Sequence, residues 1–263
     1  MDKTDIVRTA HAVADAARGA VLPFFRSADL TAENKLPEGR FDPVTEGDRA
    51  TERAMREVLG RLRPQDGILG EEYGAVEGTS GLTWVLDPID GTRAFMSGSP
   101  TWGVLIAVSD ASGPIYGIID QPYIGERFEG GWGAARMVGP MGTRDLRVLG
   151  ARSLSEAIVF TTLPELGSPA EAAGFADVAS HAKLTRYGLD CYAYSLVAAG
   201  HVDLVIEAGL APYDIQAPIA VIEAAGGIVT NWQGGPAHHG GRVIAAAGHA
   251  QHEAALEILS QVV

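Results

Sequence analysis

The stretch that most constrains this chain is the short run from Thr83 to Leu86, which ends in Asp87-Pro88-Ile89-Asp90-Gly91-Thr92. Thr, Trp, Val and Leu in succession favour a β-strand, and the Pro, Gly and paired acids that follow end it in a turn. Pro88 stiffens the backbone, so Asp87, Asp90 and the intervening carbonyl of Ile89 can face a common point. An all-oxygen arrangement of this kind suits a hard divalent cation such as Mg²⁺, which shares its ligands with substrate phosphate. Gly91-Thr92 then opens a helix, which turns amide N–H groups and the positive helix end toward the same point. Read from its residues alone, the run is equally well a plain strand-ending turn, because Asp before Pro and Asp-Gly are common turn pairs.

With 263 residues and 46% hydrophobic content, the chain can form one large domain or two closely packed halves around a substantial core. Its 33 acids against 20 bases give a net charge of −13, which argues against a nucleic-acid partner. An anionic substrate would be repelled as well, unless bound cations reverse the local field. Cys191 is the single cysteine, so no intrachain disulfide can form, and beside Asp190 and Tyr192 it reads as a small buried hydrophobe. Asp2, Lys3, Asp5 and Arg8 break the N-terminal run, and no apolar segment approaches a membrane span. A soluble, cytoplasmic protein without a membrane partner is expected.

Ile6, Ala10, Val13, Ala17 and Val21 predict an amphipathic helix over about 5–25, with Thr4 as its cap. Residues 27–43 read as a solvated loop or loose hairpin, or as a lid that carries Lys35 toward phosphate. Thr45 begins a second helix that ends at Arg63-Pro64, and Asp48 supports its first turn. Gly67 to Gly70 is a short strand that runs into Glu71-Glu72. Strands at 102–108, 115–120 and 127–129 predict antiparallel pairing. Beyond about 146, strands at 157–161, 183–187, 202–206, 227–230 and 242–246 alternate with helices at 190–200, 213–225 and 249–261. The organisation expected is an N-terminal α+β half over 1–146 and a smaller C-terminal α/β half over 147–263. Pro164, Gly167, Pro169 and Gly174 mark an irregular stretch. Asp214, in the first turn of its helix, reads as a helix-terminal acid or a ligand. His238-His239 and His249/His252 read as exposed, and no nucleophile elbow supports a Ser-His-Asp hydrolase.

The run from Trp84 to Phe95 resembles the signature of the inositol monophosphatase family of Mg²⁺-dependent phosphatases. Asp90-Gly91-Thr92-Arg93-Ala94-Phe95 is closest to its histidinol-phosphate phosphatase branch, since inositol-specific members typically carry Thr-Asn in place of Arg93-Ala94. Gly70-Glu71-Glu72, and Tyr213-Asp214 with Glu223-Ala224-Ala225-Gly226-Gly227, match further family elements, the last with one extra Ala. Arg186-Tyr187-Gly188-Leu189-Asp190-Cys191-Tyr192 is similar to the branch, with Leu189 in place of a second Gly.

The resemblance implies a layered αβαβα sandwich and hydrolysis of a small-molecule phosphate monoester, L-histidinol phosphate or else inositol monophosphate. It implies that Glu71, Asp87, Asp90, Asp214 and the carbonyl of Ile89 hold two or three Mg²⁺ ions. Glu71 and Thr92 then activate water, and Gly91 and Thr92 amides bind phosphate. Asp48 lies near the ions without holding them, in a role compatible with its helix cap. Arg186 offers a fork to the phosphate, while Asp190 and Glu207 hold the substrate's ammonium or imidazole, unless Arg186 and Asp190 form an ordinary ion pair. A homodimer is the family's usual assembly. An aspartyl-phosphate mechanism is disfavoured, because it wants two Asp one residue apart where Asp87 and Asp90 are separated by two.

Overall fold

Helix α1 (Lys3–Val21) forms because Ile6, Ala10, Val13, Ala14 and Ala17 make one fully buried stripe. Its cap is Asp2 rather than Thr4: the Asp2 carboxylate accepts the Thr4 amide at 2.9 Å. Pro23 has no N–H to continue the ladder, so the helix ends at Val21, short of the expected 25. The computed structural model describes residues 2–28, 32–34 and 43–262; Lys35 lies outside them. Strands β1 (Ala32–Asn34) and β2 (Pro43–Thr45) pair antiparallel, which is the loose hairpin. Helix α2 (Glu46–Leu62) starts at a reciprocal cap between Thr45 and Asp48, as their spacing predicts.

The larger sheet comprises β3 (Gly67–Gly70), β4 (Gly74–Val76), β5 (Thr83–Asp90), β6 (Gly103–Asp110), β7 (Gly113–Gln121), β8 (Glu126–Gly131), β9 (Ala134–Gly139) and β10 (Gly142–Asp145). Their spatial order is β10-β9-β8-β7-β6-β5-β3-β4, antiparallel throughout except where β3 runs parallel to β5. Helix α3 (Thr92–Ser97) follows β5 directly. Strands β4, β9 and β10 have no apolar alternation to announce them. They are short and largely exposed, and they exist because a neighbouring strand offers them a ladder.

The second sheet holds β11 (Ile158–Thr161), β12 (Leu184–Tyr187), β13 (Leu204–Leu210), β14 (Ile228–Asn231) and β15 (Gly241–Ala246), in the order β12-β11-β13-β15-β14. Its helices are α4 (Pro169–His181), α5 (Cys191–Ala198), α6 (Pro212–Ala224) and α7 (His249–Leu259). Helix α4 occupies much of the stretch read as irregular. Ser168 and Glu171 cap it reciprocally, with Pro169 in the first turn, where its missing N–H costs nothing. His252 also departs from expectation, being buried with its ring 2.7 Å from the Thr230 hydroxyl.

Period-two alternation sets the layers. Trp84, Leu86, Val104, Ile106 and Val108 face α1 and α2, while Val85, Leu105, Ala107 and Ile119 face α5 and α6. In the second sheet Val205, Val243 and Ala245 look inward to the same helices, and Leu204, Ile206, Ile244 and Ala246 pack outward with Phe175, Val178, Ala255 and Leu259 of α4 and α7. The result is an α+β sandwich of helices, sheet, helices, sheet and helices. Helix α6 lies between two sheets, which is why Ile215, Ala217, Ile219, Val221 and Ile222 are buried on more than one side of its axis; Gln216, also buried, bonds to Ser109 and the His238 carbonyl.

A buried ionic network pins α1 to the larger sheet. Asp120, fully buried, accepts from Arg18 at 2.8 Å and Arg127 at 2.6 Å. Arg127 also donates to Asp15 and to His11 Nδ1, so the His11 Nε2–H is left to donate to Glu129. Tyr116 and Arg136 complete the Glu129 shell.

Candidate active site

In a regular strand, residues three apart point to opposite faces. Asp87 and Asp90 escape this because β5 carries a bulge between them: Asp87 is opposite Leu105 and Asp90 opposite Gly103, so three steps on β5 span two on β6. The extra residue brings both acids to one side and leaves Pro88 and Ile89 without register partners. Asp87 accepts the Ile89 amide at 3.0 Å, which tightens the turn. Gly91 then adopts φ +84° and starts α3. A side chain there would also meet Asp190, since an added Cβ would lie 2.7 Å from the Asp190 Cγ.

Asp214 comes from the first turn of α6, and its carboxylate accepts the Ala211 amide at 2.7 Å. The helix-cap reading is therefore correct, and the side chain reaches the β5 acids as well. One carboxylate oxygen from each of Asp87, Asp90 and Asp214 lies within 4.8 Å of the others. Glu71, just past β3, lines the same cleft as Asp87, near enough for its carboxylate to raise the Asp87 carboxyl. Burial, then the charges of Glu71, Asp90 and Asp214, drive the Asp87 carboxyl well above the usual range. Burial, then Asp190 and Asp214, do the same to Asp90. Gathered hard-oxygen donors in a low-dielectric spot could hold a divalent cation, and the donor set fits a hard ion such as Mg²⁺.

Around the acids, the Thr92 hydroxyl is 3.2 Å from the Ile89 carbonyl and 3.5 Å from Asp48. Asp48 is buried and accepts both the amide and the hydroxyl of Thr45; burial lifts its carboxyl to about 6 despite those bonds. The opposite wall holds Asp190 and Glu207. Asp190 has φ +47°, rare for a residue with a Cβ, and burial raises its carboxyl to about 6 against the lowering effects of Thr101 and Arg93. Glu207 sits at a second bulge, between β13 and β15. Burial raises it to about 7, although the Thr162 amide and hydroxyl both donate to it.

These groups line one cleft of about 480 Å³. It contains Glu71, Asp87, Ile89, Asp90, Gly91, Thr92, Asp190, Glu207 and Asp214, with Asp48 behind Thr92. Arg186 is not among its lining residues: it projects from β12, at the edge of the second sheet, and is exposed. The guanidinium in the cleft wall is that of Arg93. Sequence reasoning also passed over Thr162 and Tyr194, which line the cleft, and the buried Glu52 behind Glu71; Cys191 is buried as expected and lines the cleft as well. Glu52 had a readable signal, since helical spacing places it on the same face as Met55 and Leu59.

A family model described as the inositol monophosphatase family matches residues 2–263. The chain belongs to the inositol monophosphatase family. Among curated relatives, a histidinol-phosphatase of Streptomyces coelicolor is 35% identical over 99% of this chain and 98% of its own. A bifunctional chloroplastic phosphatase of Arabidopsis thaliana is 40% identical over 85% of this chain, which spans only 63% of that longer protein. Among solved structures, an inositol monophosphatase from Zymomonas mobilis superposes with a TM-score of 0.86 at 38% identity, with 99% of each chain covered.

Proposed function

We propose that this phosphatase hydrolyses L-histidinol phosphate to L-histidinol and inorganic phosphate. Glu71, Asp87, Asp90, Asp214 and the Ile89 carbonyl would hold the divalent cations, which family usage makes Mg²⁺. The observation that carries the chemistry is the convergence of Asp87, Asp90 and Asp214 from two distant segments on one spot. Bound there, the cations supply charge neutralisation for the phosphate and acidify water. Glu71 accepts the proton of the attacking water, with the Thr92 hydroxyl orienting it and Asp48 in turn orienting Thr92. The amides of Gly91 and Thr92 bind phosphate oxygens, a role the αL turn at Gly91 supports. No side chain needs to form a covalent intermediate.

The substrate's identity is supported by the far wall. Asp190 and Glu207 present two acids to a cleft that already takes a phosphate, which suits a substrate with a cationic end. The likeness to the Streptomyces coelicolor histidinol-phosphatase points the same way. The likeness to the Zymomonas mobilis enzyme supports inositol monophosphate as the second reading. The family resemblance supports a homodimer, and a cytoplasmic setting accords with a single, buried, free cysteine. The test is phosphate release from both substrates by purified protein, with and without Mg²⁺. Faster Mg²⁺-dependent release from histidinol phosphate is expected; faster release from inositol phosphate would reverse the assignment.

A further inference from the structure

Glu52 lies one helical turn beyond Asp48 on α2 and has no solvent exposure. Its Oε2 accepts the amide of Glu72 at 2.6 Å, and its Oε1 accepts the amide of Tyr73 at 3.2 Å and Arg56 Nε at 2.7 Å. The turn held in this way begins at Glu71, whose own amide donates to the Leu86 carbonyl of β5 at 3.3 Å. Glu71 is therefore tied on one side to the strand that carries Asp87, and on the other, through two successive amides, to α2.

Gly70 supplies an independent observation. A Cβ at that position would lie 2.0 Å from Glu52 Oε1 and 2.5 Å from its Cδ. The space a side chain would fill at residue 70 is occupied by the Glu52 carboxylate. A buried carboxylate that takes two backbone amides and a guanidinium is well satisfied, and such groups lock geometry. Because Asp48 and Glu52 are four apart on one helix face, α2 reaches both Thr92 and the Glu71 turn.

We propose that Glu52 is a positioning residue for the divalent-cation site: it fixes the backbone at 71–73 so that the Glu71 carboxylate meets Asp87 at the cation position. The proposal rests on the phosphatase reading only where it takes Glu71 as a ligand. Glu52→Gln keeps the volume but replaces one acceptor oxygen with a donor that faces an amide or Arg56.

Three measurements on the full chain test it, with Mn²⁺ as the probe cation. Amide hydrogen exchange at residues 72 and 73 is expected to accelerate about tenfold or more in Glu52→Gln. Calorimetric Mn²⁺ affinity is expected to fall about 10- to 100-fold, the range for losing a group that orients a metal ligand. Turnover is expected to drop in kcat, with KM nearly unchanged. Should Glu52→Gln fail to fold, Gly70→Ala leaves Glu52 intact and pushes its carboxylate aside; it is expected to weaken Mn²⁺ to the same extent. Adding Gly70→Ala to Glu52→Ala should then cause no further loss. The proposal is overturned by unchanged Mn²⁺ affinity and exchange in both single variants. It is equally overturned if Val13→Ala, a core truncation on the neighbouring helix α1, weakens Mn²⁺ as much at the same loss of Tm. Failure of the phosphatase reading looks different: the wild-type chain would bind Mn²⁺ and protect residues 72 and 73, yet release no phosphate from any monoester.

Discussion

The Asp90 carboxylate accepts a 2.6 Å hydrogen bond from the backbone amide of Cys191, 101 positions further along the chain. Asp90 ends a strand of the larger sheet and Cys191 opens a helix in the central layer, so one side chain joins two layers and belongs to the proposed cation site.

Replacing Asp90 with Asn separates those two duties. The amide carbonyl still accepts from Cys191, while the charge that a cation needs is gone. The fold is expected to survive and kcat/KM to fall more than about a hundredfold, because even groups that only orient a ligand cost 10- to 100-fold. Saturation at 100 times Kd should stabilise the wild type by about 2.7 kcal/mol, and the variant by little. Thermal denaturation with and without Mg²⁺ checks both; an equal Mg²⁺ shift in the variant would remove Asp90 from the ligand set.

Gly91→Ala strains the turn that joins the acids to α3. The backbone has φ +84°, and the new methyl would press on the Asp190 carboxyl. A loss of about 1–3 kcal/mol is expected from the backbone conformation alone, together with a loss of turnover larger than the stability change explains. Urea unfolding and steady-state kinetics on one preparation are the measurements. Wild-type stability would mean that the turn is softer than its geometry implies.

Glu207 sets a pH dependence. Burial raises its folded carboxyl to about 7, above the ordinary glutamate value of 4.5. A carboxyl raised on folding contributes stability that is complete below about 4.5 and is lost as pH rises through about 7. Glu207→Gln has no such loss, so its Tm relative to wild type is expected to climb between pH 5 and pH 8. Its KM for histidinol phosphate is expected to worsen most above pH 7, where wild-type Glu207 carries its charge. A Tm difference flat across that window would contradict the assigned ionisation.

Glu129 behaves in the opposite sense. Burial alone would raise it, but hydrogen bonds from His11, Tyr116 and Arg136 bring it down to about 2. A carboxyl lowered on folding contributes stability present above about 4.5 and lost as pH falls through about 2. Glu129→Gln is expected to be less stable at neutral pH and to show a shallower acid-unfolding limb. Acid titration followed by circular dichroism decides; identical limbs would mean that the network contributes nothing through ionisation.

Much of the site was legible because its residue types are unusual where they stand. Two acids around a Pro after an apolar strand, and an acid in the first turn of an apolar helix, invite a ligand reading, and Asp87, Asp90 and Asp214 do converge. The bulge that makes this convergence work was not legible, since register depends on which strand lies alongside. Arg186 was named for its charge and its neighbours, but it stands on an edge strand outside the cleft, and Arg93, already noted as unusual for inositol-specific members, lines the wall instead. Helix α4 was hidden by its Pro and Gly content, although Ser168, Pro169 and Glu171 spell a helix start. The edge strands β4, β9 and β10 owe their existence to partners and left no local trace.

Helix α6 is held between the two sheets by apolar side chains that ignore the cleft. Asp214 is therefore delivered to its station by greasy packing, whether or not ions are in supply. On the proposed reading the cleft is a frame assembled in advance, to be completed by solutes from the surroundings, so starving the protein of cations should silence it reversibly without dismantling it.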